Sequence, residues 1–441
     1  MMKRKGLSAV GRQFLFLQGP HGPFFSELAR HLRKQGVTVL KVGFNRADDR
    51  EWAGAGPYQP FAEPFENWKT WLTSLMSERD VTDVCLYGDT RAYHAKAIEV
   101  AHQLGATVHV FEEGYLRPFW VTYERGGSNG HSRLMEIDLN EMRRACDVEN
   151  YEQEETPPHW GAAWRHALHG FRHHFDVLFR NGAYPNFMPH RPTSTWAELG
   201  YYAKRMLLLP LLTPECKMRE AKLLKGGKTY HLVLLQMAID ASMRDHSPYK
   251  SVTLFMEDCL EAFAKGAPAD HHLVMKSHPF EDGRERLEAA MKRCAARLGV
   301  SDRVVFLHGG KLGPLLDRAR SAVTVNSTAG QQALWRGLPI AVLGSAVYEK
   351  PEFTKKGDLE SFFRHPAAPD AAAYRDYRQF LLMSSQVRGS FYTRAGRRNA
   401  VEQITPKMLD VLDPYDSAWR QADVLREKAN VTHLPIAAKL G

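Results

Sequence analysis

The chemistry-bearing residues of this chain fall in short clusters, each behind an apolar run. Glu112-Glu113-Gly114 follows Val108 to Phe111. Two adjacent carboxylates there are costly to bring together, and either could take a proton from an attacking hydroxyl. An acidic pair at a helix N-terminus, favoured by the macrodipole, is the structural alternative. Lys276-Ser277-His278-Pro279 puts a cation and an imidazole where Pro279 forces a turn. Such a pair can hold a phosphate and protonate it as it leaves; a turn histidine bonded to backbone is equally compatible. Asn326-Ser327-Thr328-Ala329-Gly330 leads into a helical pattern. Ser327 or Thr328 is expected as its N-cap, and the free N–H groups there also suit a phosphate. Gln236 to Ser242 carries Asp240, which could act as nucleophile, ion-pair anchor or turn cap. Gly19-Pro20-His21-Gly22-Pro23 follows Phe14 to Leu17.

The elements that must position these clusters alternate between two periodicities. Strands are expected at 12–18, 37–44, 81–87 and 106–111, with helices between them marked by Phe24, Phe25, Leu28, Leu32 and by Trp68, Trp71, Leu72, Leu75. The alternation restarts after Thr229, with strands at 230–236, 272–276, 304–307, 322–325 and 339–343. Helices are expected at 251–265, 283–298, 314–321 and 329–337. This β-α-β order predicts an α/β chain with two Rossmann-like domains, each a parallel sheet covered by helices. Ligands of such sheets bind beyond the carboxyl ends of the strands, where the clusters lie. Residues 1–140 are assigned to an N-terminal Rossmann-like domain and 229–373 to a C-terminal one. Residues 141–228 form a helical middle segment that serves as insertion and linker, ending at Lys225-Gly226-Gly227-Lys228. Residues 374–441 are assigned to helices that pack back on the first domain. In the middle segment Trp160, Trp164, Leu168, Phe171, Phe175 and Phe179 recur at helical spacing among Arg165, His166, Arg172 and His173. The expectation is a stripe packed inward; the alternative is a basic-aromatic face on anionic lipid.

An acidic pair with glycine, then His-Pro, then Ser/Thr at a helix start resembles the GT-B transferases that use CMP-activated acid sugars. The wording is more similar still to the capsule polysaccharide KpsS/LipB family. The matching blocks are Gln18-Gly19-Pro20 with Pro23-Phe24-Phe25, Phe111 to Pro118, Trp120 to Gly127, Ser128-Asn129, Gln236 to Asp240, Lys276 to Pro279 and Val325 to Leu338, over about residues 12–350. The resemblance implies a GT-B-like pair of domains facing a cleft, with 1–140 as the acceptor domain and 229–373 as the CMP-sugar-binding domain. It implies a retaining β-Kdo (3-deoxy-D-manno-octulosonate) transferase with CMP-Kdo as donor and lysophosphatidylglycerol, or its Kdo-extended form, as acceptor. Lys276, His278, Ser327 and Thr328 would then bind the CMP phosphate, with His278 the acid for the leaving group. Glu112 and Glu113 would do acid/base work. Asp240 would be the nucleophile of a double displacement, with Asp245 and Glu124 as other carboxylates in motif regions. Gly19, His21, Arg117, Arg125, Gln236 and Ser242 would bind substrate. Two rival functions stand beside it: a CMP-sialic acid transferase of the same fold, and a non-catalytic scaffold that recruits capsule enzymes to the membrane.

Composition bounds these expectations. Hydrophobic residues make up 44% and charged residues 25%, the balance of a folded globular chain. The net charge of +9 suits nucleic acid, an anionic membrane or an anionic substrate. No nucleic-acid motif is recognisable, and none is expected as partner. Nor is there a P-loop, a GxGxxG after a strand or a DxD signature. The five cysteines are odd in number and form no CxxC pair, so reduced thiols are expected, and no metal or cofactor. The longest apolar run near Met206 to Leu212 is too short to span a bilayer. The expected location is cytoplasmic, peripheral at the inner face of the inner membrane, with other capsule assembly and export proteins as further partners.

Overall fold

The computed structural model describes residues 11–146, 163–189, 195–278, 281 and 283–432. The chain forms two compact units: one of residues up to Ser128, Glu136–Phe187 and the chain from Arg375, the other of Asn129–Met135 and Met188–Tyr374. The path opens with β1 (Gln13–Phe16), α1 (Phe24–Lys34), β2 (Thr38–Gly43), α2 (Arg46–Trp52), β3 (Tyr58–Pro60) and α3 (Trp68–Glu78). It continues with β4 (Asp83–Tyr87), α4 (Ala92–Leu104), β5 (Thr107–Glu113), β6 (Trp120–Arg125), α5 (Leu139–Cys146) and α6 (Ala163–Phe179). The second unit carries α7 (Thr195–Lys225), β7 (Tyr230–Leu234), α8 (Ala241–Asp245), α9 (Val252–Gly266), β8 (His272–Lys276) and α10 (Leu287–Arg297). Then come β9 (Val304–Leu307), α11 (Leu312–Leu316), β10 (Ser321–Thr324), α12 (Gly330–Trp335), β11 (Ile340–Val342) and α13 (Leu359–Arg364). Helix α14 (Ala371–Met383) carries the chain from one unit into the other, where β12 (Gln386–Arg388), α15 (Arg394–Leu409) and α16 (Pro414–Thr432) follow.

The first sheet has the order β12-β6-β5-β4-β1-β2-β3 and the second β11-β10-β7-β8-β9. β7 and β8 are buried at every residue, because helices cover both faces, and apart from His231, His272 and Lys276 they are apolar. The second sheet is wholly parallel. The first departs from the parallel expectation at one edge, where β6 runs antiparallel to β5 and β12 antiparallel to β6. The reversal turns on Gly114, whose N–H donates to the Trp120 carbonyl at 3.0 Å. A Cβ at Gly114 would stand 2.3 Å from that carbonyl oxygen, so only glycine lets the two strands close. β12 is three residues long and pairs with a strand more than 250 positions earlier, which leaves no local signal.

Each unit has its own core. In the first, Phe14, Phe16, Phe24, Phe25 and Phe111 pack with Ala400, Val401 and Ile404 of α15. In the second, Met275 of β8, Phe255 of α9, Met291 of α10 and Phe363 of α13 come together. All five cysteines are free and buried. Among the described residues no helix is long and apolar enough to cross a membrane.

Several expected elements move. The acidic pair ends strand β5 rather than starting a helix. Helix α12 begins at Gly330 with Ala329 at its N-cap, so neither Ser327 nor Thr328 caps it. Ser327 Oγ instead accepts from the Ala329 N–H at 3.2 Å, closing a turn before the helix. Helix α10 starts at Leu287, after a turn, rather than at 283. Gly226 to Lys228 joins α7 to β7 within the second unit. The aromatic stripe of the middle segment does not pack inward: Phe171, Phe175 and Phe179 are exposed. The face of α6 that packs carries His173, stacked on His21 at 4.3 Å, and Asp176, ion-paired with Arg50. Trp160 lies outside the described residues, and so does Pro279.

Candidate functional site

In the first unit β1 is paired with both β2 and β4, so the connections run in opposite directions on its two sides. The loops beyond the carboxyl ends of β1 and β4 flank this switch point, the usual ligand position of an open α/β sheet. Gly19 and His21 lie in the first of these loops. Gly88 and Asp89 lie in the second, beside the end of β5 that carries Glu112 and Glu113. Backbone bonds tie these ends together: Tyr87 N–H donates to the Gln18 carbonyl at 3.3 Å and Gly88 N–H to that of Phe111 at 2.9 Å. Buried Lys41 adds a bond from its ammonium to the Leu17 carbonyl.

The two glutamates are neighbours in a strand, so their side chains leave on opposite faces of the sheet. Glu113 Oε1 accepts from the hydroxyl of Tyr392 at 2.7 Å and from that of Tyr87 at 3.3 Å. Glu112 faces the β4–α4 loop. Gly88 has φ 71°, a left-handed turn that glycine permits, and a Cβ there would lie 3.4 Å from Glu112 Oε2, in ordinary contact with the carboxylate. Burial raises the pKa of Glu112 from 4.5 to about 7; the Glu113 N–H, donating to Oε1 at 2.9 Å, opposes the rise, and the charges of Glu113 and Asp89 add to it. A carboxylate poised near neutrality can accept a proton and give it up again, which a general base requires.

The surroundings of Glu112 are held by residues that no cluster in the sequence announced. Arg91 stacks over the Tyr87 ring at 5.0 Å and donates to Gln18 Oε1 at 3.0 Å. His94 sits in the first turn of α4 with Nδ1 2.7 Å from the Gly88 carbonyl. Burial, then the charge of Arg91, lowers its pKa to about 3, so the ring is neutral and Nδ1–H is the donor that holds the loop. Gly88-Asp89 follows a strand just as the noted clusters do, and that position was the available signal. Tyr392 lies 279 residues from Glu113, and nothing local marks it.

Arg117 is exposed beside a cis Arg117–Pro118 peptide, with Nε 3.3 Å from the Gly114 carbonyl. Arg125 ends β6 with its guanidinium on the carbonyls of Lys407 (3.0 Å), Asp410 (2.8 Å) and Val411 (3.1 Å). Those are orphan acceptors at the C-terminal end of α15, where a cation is also favoured by the helix dipole. Glu124 is buried and accepts from the hydroxyls of Tyr115, at 2.7 Å, and Tyr415.

In the second unit β7 is the switch strand, paired with β8 and β10. Gln236 beyond β7 and Asn326 beyond β10 bind each other reciprocally. Gln236 Nε2 donates to Asn326 Oδ1 at 2.8 Å, and the Asn326 N–H donates to Gln236 Oε1 at 3.2 Å. Asn326 Nδ2 then donates to the carbonyls of Ser242 (2.8 Å) and His246 (3.0 Å), which fixes the α8 turn. Asp240 stands at the N-cap position of α8, half-buried, with no side-chain bond to the helix. Lys276 is buried at the end of β8, its ammonium 3.5 Å from the Ser277 carbonyl. Burial lowers its pKa, against the opposing influence of Cys216 and Glu220 on α7. His278 is half-buried, and its carbonyl accepts from the Glu281 N–H at 3.0 Å. Ser327 and Thr328 are half-buried in the turn before α12, where the Tyr348 hydroxyl donates to the Ser327 carbonyl at 2.5 Å. Gly19, His21, Glu112, Glu113, Arg117 and Arg125 thus share the first unit. Gln236, Asp240, Ser242, Lys276, His278, Ser327 and Thr328 share the second.

A family model described as "Capsule polysaccharide biosynthesis protein" matches residues 82–392. The "Capsule polysaccharide export protein KpsS" of Escherichia coli is 31% identical over 393 residues, covering 87% of this chain and 97% of that protein. The "Capsule polysaccharide modification protein LipB" of Neisseria meningitidis serogroup B is 32% identical over 401 residues, covering 88% and 94%. Among solved structures, a KpsC β-Kdo 2,7 transferase from Thermosulfurimonas dismutans is 13% identical, with a TM-score of 0.46 over 90% of this chain and 99% of that one.

Proposed function

This chain belongs to the capsule polysaccharide biosynthesis protein family, and from that premise we propose that it is a glycosyltransferase moving β-Kdo from CMP-Kdo to a phospholipid acceptor such as lysophosphatidylglycerol, with retention. The observation that carries the proposal is Glu112: a carboxyl group with a pKa of about 7 at the carboxyl end of β5, beside the switch point and inside the matched region. Glu112 takes the proton of the acceptor hydroxyl as that oxygen attacks the anomeric carbon.

Retention follows from two inversions. In the first, a carboxylate, for which Asp240 is the candidate, attacks the anomeric carbon as the bond to the CMP phosphate oxygen breaks. The leaving phosphate keeps the electron pair. Lys276, His278 and the turn Asn326 to Thr328 supply cationic and N–H character suited to its charge. In the second, the acceptor oxygen displaces the carboxylate and Glu112 holds the released proton. Such a donor and acceptor would be met at an anionic membrane surface on the cytoplasmic side, which is the location we propose.

The test is incubation of the full chain with CMP-Kdo and fluorescent lysophosphatidylglycerol, followed by mass spectrometry. One Kdo added to the lipid, with CMP released in equal amount, is the expected result. CMP-sialic acid in place of CMP-Kdo should give no product. Intact capsule assembly with Asp240→Asn or His278→Ala would favour the scaffold role instead.

A further inference from the structure

We infer that the outward face of α6 is a docking surface for an anionic phospholipid bilayer. Phe171, Phe175 and Phe179 stand at successive turns of this helix and are 65%, 39% and 59% exposed, with Leu168, 41% exposed, continuing the row. Their rings form one strip, with centroids 6.2 Å apart between Phe171 and Phe175 and 5.0 Å between Phe175 and Phe179. Apolar rings exposed to this degree in one row mark a surface suited to an apolar partner.

The charges around the strip select the partner. Between positions 163 and 183 the sequence has one acidic residue, Asp176, against Arg165, Arg172 and Arg180. Asp176 is buried on the inward face, ion-paired with Arg50 and 3.6 Å from Arg180. Arg165, Arg172 and Arg180 are exposed, and the Arg180 guanidinium lies over the Phe175 ring at 5.5 Å. Among the described residues of α6, the outward face therefore offers aromatic rings flanked by guanidinium groups, while the helix's one carboxylate, Asp176, is turned inward. That combination suits the headgroup boundary of an anionic bilayer, where rings enter the acyl region and arginines meet phosphate. A protein partner would be expected to meet some charge of each sign.

The opposite face of α6 lies against the first unit's strand ends. His173 stacks on His21, and the His169 ring sits where a Cβ on Gly22 would be 3.0 Å from Nδ1. His166 stacks at 4.1 Å on Tyr392, whose hydroxyl donates to Glu113. One helix thus joins an apolar cationic surface to the loop and carboxylate at the ends of β1 and β5. For a lipid acceptor, which rests on the function proposed above, this holds the headgroup near the site while the acyl chain stays in the bilayer.

The test is flotation of the full chain with phosphatidylglycerol-rich vesicles and with pure phosphatidylcholine vesicles. The parent should float with the first, less so as salt rises, and only weakly with the second. Phe171→Ser with Phe179→Ser should lower the partition coefficient by about tenfold per residue, and Arg172→Glu should lower it selectively on anionic vesicles. Because these side chains are exposed, the melting temperatures should match the parent. Donor turnover with a short-chain acceptor in free solution should also be unchanged. Equal flotation of parent and double variant would overturn the inference, as would a parent indifferent to lipid charge. A double variant that turns a dimer into a monomer without changing flotation would assign the face to a second copy instead. Normal flotation with no Kdo transfer would sink the proposed function and leave this surface standing.

Discussion

Replacing Glu112 by Gln separates what this carboxyl group contributes to chemistry from what it costs the fold. Its pKa rises from an ordinary 4.5 to about 7, chiefly through burial. Between those values the folded state keeps a proton that the unfolded chain gives up. The stability associated with that proton is complete below about pH 4.5 and is lost as pH rises through 7. A shift of this size corresponds to about 3 kcal/mol, and partial contact with solvent reduces it to about 2 kcal/mol. Gln keeps the Oε1 acceptor for the Glu113 N–H and carries no charge beside Glu113. Glu112→Gln should therefore melt about 4–8 °C higher than the parent at pH 8 and no higher at pH 4.5. Loss of a general base should lower turnover by roughly 10²–10⁴-fold. The parent's rate should climb with pH and level off above about 7, whereas the variant's residual rate should lack that step. Scanning fluorimetry at the two pH values and CMP release across the range read both effects. An equal melting shift at both pH values, or a variant that retains the step near pH 7, would refute the reasoning.

Arg125→Ala strips three carbonyls at the end of α15 of their donor and should cost about 2–3 kcal/mol in chemical denaturation while leaving the KM for donor unchanged; a raised KM at unchanged stability would return Arg125 to substrate binding. Asn326→Ala removes the amide that joins Gln236 to the carbonyls of Ser242 and His246, so it should lower stability by about 2–4 kcal/mol and speed hydrogen exchange over 236–246; unchanged exchange there would show that the turn holds itself. Burial depresses His109 to about 4 and His231 to about 3, so their neutral forms stabilise the fold fully above about pH 6.5 and ever less as pH falls toward 4. Each contributes on the order of 3 kcal/mol to that loss, and His231→Gln should flatten the acid side of the stability profile by a comparable amount; an unaltered profile would contradict the assignment.

How far the sequence reveals this molecule depends on how local each signal is. The buried parallel strands are mostly apolar runs, and a polar cluster follows nearly every one of them, so the doubly wound pattern and the strand-end residues are legible. β6 and β12 are not, because an antiparallel edge is decided by Gly114 closing on Trp120 and by pairing across the length of the chain. The stripe on α6 is legible as a stripe but not as to its side. Which face packs is decided by His21 and Arg50, which lie more than 100 residues earlier and meet His173 and Asp176. Within the candidate site, Glu112 and Glu113 look alike in sequence. The pleat of β5 sends one toward Gly88, where burial raises its pKa to about 7, and the other onto the hydroxyls of Tyr392 and Tyr87. Gln236 suggests a ligand contact by its position, whereas its amide is engaged with Asn326.

The proposed chemistry is tested most directly by following the acceptor itself. Incubated with CMP-Kdo and lysophosphatidylglycerol, the full chain should add a single Kdo to the lipid, give a β-linked product by proton NMR, and lose that activity in Glu112→Gln. An unmodified lipid in the presence of intact donor and folded protein, or a product formed equally well by Glu112→Gln, would contradict it.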